Sequence, residues 1–231
     1  GFLFVQVTNQ TSGLDIIRKP LTADPKKTTS GSSKPTTTPK APSPADQEKA
    51  LWESVKTGKA PLFINANNAA TVAYVLRFMK DHEKVKLNLI TTGANIYELL
   101  DEIKSNKNIQ VVLTPSIDRV PYTNDLMNVP QMLAEKDIPF AFSMSMNGSQ
   151  MRSGQDDPLF PLAMLVRSGL DRETALKSVT LKPAQLMEIE KTHGSLAKNK
   201  MANLLIFDGD PLATGNRLEK VILNGKTIHE N

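Results

Sequence analysis

The chain has 231 residues, 39% of them apolar and 23% charged, which suits an ordinary globular fold with a sizeable core. It has no cysteine, which excludes disulfides, zinc–thiolate sites and thiol catalysis, and no apolar run approaches the roughly 18–20 residues of a membrane span. The formal charge is +4, yet residues 18–44 alone carry +5 and the remainder −1, so the folded part lacks the basic footprint of a nucleic-acid binder.

The chain opens on Gly1-Phe2-Leu3, without Met and without the basic lead of a signal peptide. Residues 1–8 read as one buried strand entered mid-protein, as in a fragment. The lack of cysteine leaves periplasm and cytoplasm equally open. Residues 20–44 hold six of the 15 prolines among Thr, Ser and Lys. Such a stretch buries too little apolar surface to offset its ordering entropy, and it reads as an exposed insertion.

A regular alternation follows. Helices are expected over 46–57, 68–82, 95–105, 125–136 and 158–168, and strands over 61–65, 84–90, 109–113 and 138–143. Val72, Val75, Leu76 and Met79 recur at helical spacing, as do Ile96, Leu99, Leu100 and Ile103. Four βα units with short connections imply a parallel sheet covered by helices, the four strands adjacent in chain order. Asp171 is placed to cap a helix over 172–179, and Pro183 to open one over 183–190. The texture then changes to short strands at 203–208, 220–223 and 226–229, with Asn224-Gly225 as a type I′ turn.

In parallel sheets, ligands bind beyond the carboxyl ends of the strands. There the sequence places Asn65, Asn67 and Asn68, then Thr91, Thr92 and Gly93, then Thr114 to Asp118, then Ser143 to Asn147. This rim of amides and hydroxyls suits a small polar ligand. It lacks the imidazoles and carboxylates that hold a transition metal. His82, His193 and His229 stand apart, and no His-Glu-x-x-His, His-x-His or Gly-x-Ser-x-Gly motif is present. Asp156-Asp157 read as helix-start charges, Asp208 and Asp210 as a polar turn, and Met144, Met146 and Met151 as gap-filling core.

The order of motifs resembles the C-terminal half of a metal-dependent amidohydrolase, nearest the imidazolonepropionase-like branch. Gly169-Leu170, Ala175-Leu176, Thr180, Pro183-Ala184 and Leu186 fall at the spacing of "GL-x-x-x-x-AL-x-x-x-T-x-x-PA-x-L". Gly194-Ser195-Leu196, Lys200, Ala202 and Leu204 resemble "GSL-x-x-GK-x-ADL". Gly209-Asp210-Pro211-Leu212 and Val221 to Lys226 continue the likeness, and 61–66 stands where the family has a strand ending in "HA".

The resemblance implies the C-terminal part of a (β/α)8 TIM-like barrel, strands five to eight, with a share of a small antiparallel β-sandwich. It divides the chain into a barrel remnant (1–19), the linker (20–46), the half barrel with its following helices (47–193) and the sandwich part (194–231). It implies zinc or another divalent metal in the family, and an N-terminal half of the same barrel as partner. A homo-oligomer is expected too. Against that pattern, Asn65 replaces the strand-five His, Thr91 or Thr92 the strand-six His, and Ser145 the strand-eight Asp that serves as ligand and general base. No metal-bound water and no base would then remain. The expected function is therefore an amidohydrolase-like protein without a competent metal site. It would bind a small polar ligand at Asn65, Asn67, Thr91, Thr92, Ser145 and Asn147, or act as a scaffold. The alternative is a hydrolase of non-peptide carbon–nitrogen bonds whose metal ligands lie in an absent N-terminal half. A surface module acting through the basic linker is a third.

Overall fold

In chain order the first elements are strand β1 (Leu3–Val7), helices α1 (Ser12–Thr22) and α2 (Pro44–Lys56), strand β2 (Leu62–Ala66), helix α3 (Ala69–Met79) and strand β3 (Leu87–Ile90). Next come the short helices α4 (Gly93–Ile96) and α5 (Leu100–Ser105), then strands β4 (Ile109–Leu113), β5 (Asp118–Arg119) and β6 (Leu126–Met127). Helix α6 (Val129–Glu135), strand β7 (Phe140–Phe142) and helices α7 (Phe160–Arg167), α8 (Arg172–Val179) and α9 (Leu181–Leu186) follow. Strands β8 (Leu204–Phe207), β9 (Leu218–Leu223) and β10 (Lys226–Glu230) end the chain. This computed structural model describes residues 2–7, 12–22, 43–144, 159–213 and 215–231.

Five strands form one parallel sheet in the order β1-β2-β3-β4-β7. The four expected strands are parallel and adjacent in chain order, and β1 adds a fifth. Every residue pairs in register from Leu3↔Leu62↔Leu87↔Ile109 upward. Leu62, Ile64, Leu87, Leu89, Val111, Leu113, Phe140 and Phe142 point to one face and join the main core with the helices, including Val55, Val72, Leu76, Met79 and Leu165. The alternate residues Ile90, Val112 and Ala141 lie on the other face and pack with Leu186 of α9. A sheet covered on both faces explains why its strands read as unbroken apolar runs.

The caps follow from sequence. Ser43 and Asp46 close a capping box on α2, with Pro44 in its first turn. Asn68 accepts the Thr71 N–H at 2.8 Å and starts α3, whose buried stripe is Thr71, Val72, Val75, Leu76 and Met79. Asp171 accepts the Thr174 N–H and starts α8 as expected. Asn224 and Gly225 both have positive φ, 51° and 77°, as a type I′ turn between β9 and β10 requires. Strands β10-β9-β8 form a small antiparallel sheet.

Several expectations change. The first strand is not wholly buried: Val5 and Val7 are, but Phe2 and Phe4 are about half exposed. As the sheet edge, β1 packs against α1 and α2, which bury its Val5/Val7 face. The 95–105 helix divides into α4 and α5, the apolar stripe surviving as buried Ile96, Leu100 and Ile103. The 125–136 helix begins only at Val129, because Asn128 caps it and Pro130 sits in its first turn; β6 occupies the preceding residues and pairs with β5. Pro183 is the third residue of α9, not the first, and its missing N–H still falls among the unpaired donors of a helix start. The linker lies mostly outside the described residues; its ends, 20–22 and 44–46, are helical. Among the described residues no helix is long and apolar enough to cross a membrane.

Candidate functional site at the sheet rim

The parallel sheet delivers the carboxyl ends of its strands to one edge. Asn65 occupies the next-to-last position of β2, paired with Gln6 and Ile90, and is half-buried. By strand alternation it shares the face of Ile90 and Val112 rather than that of the main core. Asn67 follows it, exposed. Thr91 and Thr92 leave β3 side by side but do different things. Thr91 is buried, and its hydroxyl donates to the Ala66 carbonyl at 2.8 Å, tying the end of β3 to the end of β2. The Asn95 amide donates to that same hydroxyl at 3.4 Å. Thr92 is exposed and precedes α4 without capping it through its side chain. Thr91 is thus held by the sheet, whereas Asn67 and Thr92 are exposed and Asn65 is half-buried. Ser145 and Asn147 lie outside the described residues, as do Met146, Met151, Asp156 and Asp157.

One rim residue carries more than its place in the sequence suggested. Asp118 begins β5, beyond β4, and its carboxyl lies against Gly93, with the Ala94 N–H donating to it. Burial pushes this carboxyl above its ordinary range, and the Ala94 bond only partly offsets the shift. The signal was Gly93 directly after Thr91-Thr92, since a Cβ there would meet both the Asp118 carboxyl and Val129. Arg119 beside it donates to the Asn124 carbonyl oxygen at 2.9 Å.

The described rim residues do not fit a tightly held divalent metal. Asn65 offers a neutral carboxamide, Thr91 an occupied hydroxyl, and Asp118 a single carboxylate already accepting a backbone N–H. Among the described residues no group of three or more His, Cys, Asp or Glu is arranged to hold an ion. The histidines are placed elsewhere. His82 stacks on Phe78 at 4.6 Å, His193 bonds Thr192 through Nδ1, and His229 lies exposed on β10. Asp208 and Asp210 serve the β tail: Asp208 accepts the Arg217 N–H at 2.7 Å, and Asp210 accepts from Leu212 N–H and from Arg172.

Comparison with known proteins shows what the chain is similar to. Residues 138–229 match the model described as the amidohydrolase family. The imidazolonepropionase of Christiangramia forsetii is 29% identical over 57% of this chain and 33% of its own length. That of Flavobacterium psychrophilum is 26% identical over 79% of this chain and 44% of its own. The crystal structure of an amidohydrolase from Thermotoga maritima superposes with a TM-score of 0.63 at 21% identity, covering 83% of this chain and 49% of that one. The family match covers residues 138–229, the stretch from the last strand of the parallel sheet into the antiparallel tail. The chain is similar to these imidazolonepropionases and spans less than half the length of the two it matches.

Proposed function

We propose that this chain is the C-terminal half of an amidohydrolase-like (β/α)8 barrel, with β2, β3, β4 and β7 as strands five to eight and β8–β10 as a share of the β-sandwich. On this reading β1 and α1 are the barrel remnant of 1–19, and 20–46 links them to the half barrel of 47–193. The N-terminal half of the barrel and further copies of the chain are its macromolecular partners. The rim binds a small polar ligand through Asn65, Asn67 and Thr92, with Ser145 and Asn147 beyond them, and does so without a resident metal.

The observation that carries this reading is the Thr91–Ala66 hydrogen bond. One of the two residues standing for the strand-six ligand is spent on holding strand ends together. The remaining members of the set, the Asn65 and Asn67 carboxamides and the Thr92 hydroxyl, donate and accept hydrogen bonds but supply no charge to polarise a carbonyl or acidify a water. Recognition without turnover is the chemistry such a set supports.

The second reading, a hydrolase of carbon–nitrogen bonds with metal ligands in an N-terminal half, draws its support from Asp118. A half-buried carboxyl with a raised pKa is the kind of group that takes or gives a proton. Succinimide, a cyclic imide, separates the two. In a backbone-amide NMR titration of the full chain, saturable shifts at Asn65 and Thr92 without hydrolysis, with or without added zinc, are expected. Zinc-dependent opening of the imide ring once the chain is joined to the N-terminal half of the barrel, lost in Asp118→Asn, would establish the second reading instead.

A further inference from the structure

A half-open cavity lies at the opposite end of the sheet from the rim. It measures about 290 Å³ where Ile138 and Pro139 lead into β7, between the end of α6 and the faces of α8 and α9. Its apolar wall is Ala134, Ile138, Pro139 and Phe140. Facing that wall, α8 presents Thr174, Lys177 and Ser178, which fall on one stripe at i, i+3 and i+4, and α9 adds Lys182 from its first turn.

The charge balance of this cavity is positive. Its single carboxylate, Asp137, is met by the Lys104 ammonium at 3.7 Å. Lys177 pairs with Glu173 at i,i+4 and also feels the Asp171 carboxylate; both are exposed contacts, weak enough for a ligand anion to displace. Lys182 has no ion-pair partner among the described residues. The hydroxyl of Ser178, only 1% exposed, donates to the Ala175 carbonyl at 2.6 Å, so the hydroxyl is satisfied and leaves the recognition to the lysines. A buried serine rather than a larger apolar residue on this wall keeps the space open.

We propose that this cavity is a binding site for a small organic anion, a phosphate or carboxylate on an apolar body. The anion would sit between Lys177 and Lys182, and the body would lie against Ile138, Pro139 and Phe140. The site is separate from the rim and does not depend on the reading of the rim.

Phenyl phosphate is a suitable probe, with inorganic phosphate and benzyl alcohol as the two halves of it. Binding to the full chain is measured by isothermal titration at low salt, where charge pairing is least screened. Phenyl phosphate should bind saturably and more tightly than either half. Lys182→Met should weaken it about tenfold or more, the effect of removing one charge-assisted hydrogen bond. Lys182→Arg should restore part of the affinity, while Lys220→Met on β9 should leave it unchanged. Circular dichroism melts of each variant exclude unfolding as the cause. The proposal is overturned if phenyl phosphate does not saturate, if inorganic phosphate binds equally well, or if Lys182→Met binds like the parent chain.

Discussion

Arg172 at the start of α8 holds Asp210, beyond β8, by two parallel bonds, Nε to Oδ2 at 3.1 Å and Nη2 to Oδ1 at 2.6 Å. This fork links the helical layer to the antiparallel tail across 38 residues of chain. The guanidinium, followed by the Leu212 N–H, lowers the Asp210 carboxyl below its ordinary 3.8, and the same pairing raises Arg172. A carboxyl lowered by folding contributes stability that is present above 3.8 and is lost as pH falls through the lower folded value. Asp210→Asn should therefore lower the melting temperature slightly near neutral pH. The deficit should shrink in strong acid and in high salt, because the pair is well exposed to solvent. Calorimetric melts across acid to neutral pH check both trends.

Asp118 should behave with the opposite sign. Its pKa is raised chiefly by burial, so folding disfavours its charged form. Above the raised folded pKa that charge costs stability, and the cost is relieved as pH falls through that value toward the ordinary 3.8. Asp118→Asn, which keeps an oxygen to accept the Ala94 N–H, should raise the melting temperature near neutral pH. The gain should disappear in acid, where the parent carboxyl is protonated. The same melts read on this variant test the direction.

Gly93 is fixed by the neighbours of that carboxyl. A methyl group there meets the Asp118 side chain and the Val129 Cβ at 2.9 Å, so Gly93→Ala should destabilise by about 1–3 kcal/mol, the usual cost of overpacking. Combined with Asp118→Ala it should lose less than the sum of the two single changes, since one of the two collisions is gone. Urea unfolding of the four variants in the cycle measures the coupling.

Much of the fold was legible because local signals and burial agreed. The Asn68 and Asp171 caps, the stripe of Val72, Val75, Leu76 and Met79, and the Asn224-Gly225 turn each set an element where the sequence placed it. The helix over 125–136 was misjudged because its apolar residues fit either period, and the Asn128–Pro130 start signal outweighed them. At the rim, the sequence names the residues that follow each strand but not how each is used. Thr91 and Thr92 are indistinguishable in sequence, yet alternation turns one into the sheet and the other to solvent. The weight of Asp118 was hidden for a related reason: its burial depends on Gly93, 25 residues earlier, coming into contact with it.

On the proposed function this rim holds no metal. Elemental analysis of the purified chain, stripped with chelator, incubated with excess zinc and passed through buffer, measures it directly. A set of Asn65, Thr91, Thr92 and Asp118 predicts zinc far below stoichiometric, with Asn65→Ala indistinguishable from the parent. About one tightly held zinc per chain, lost on Asn65→Ala, would contradict the account.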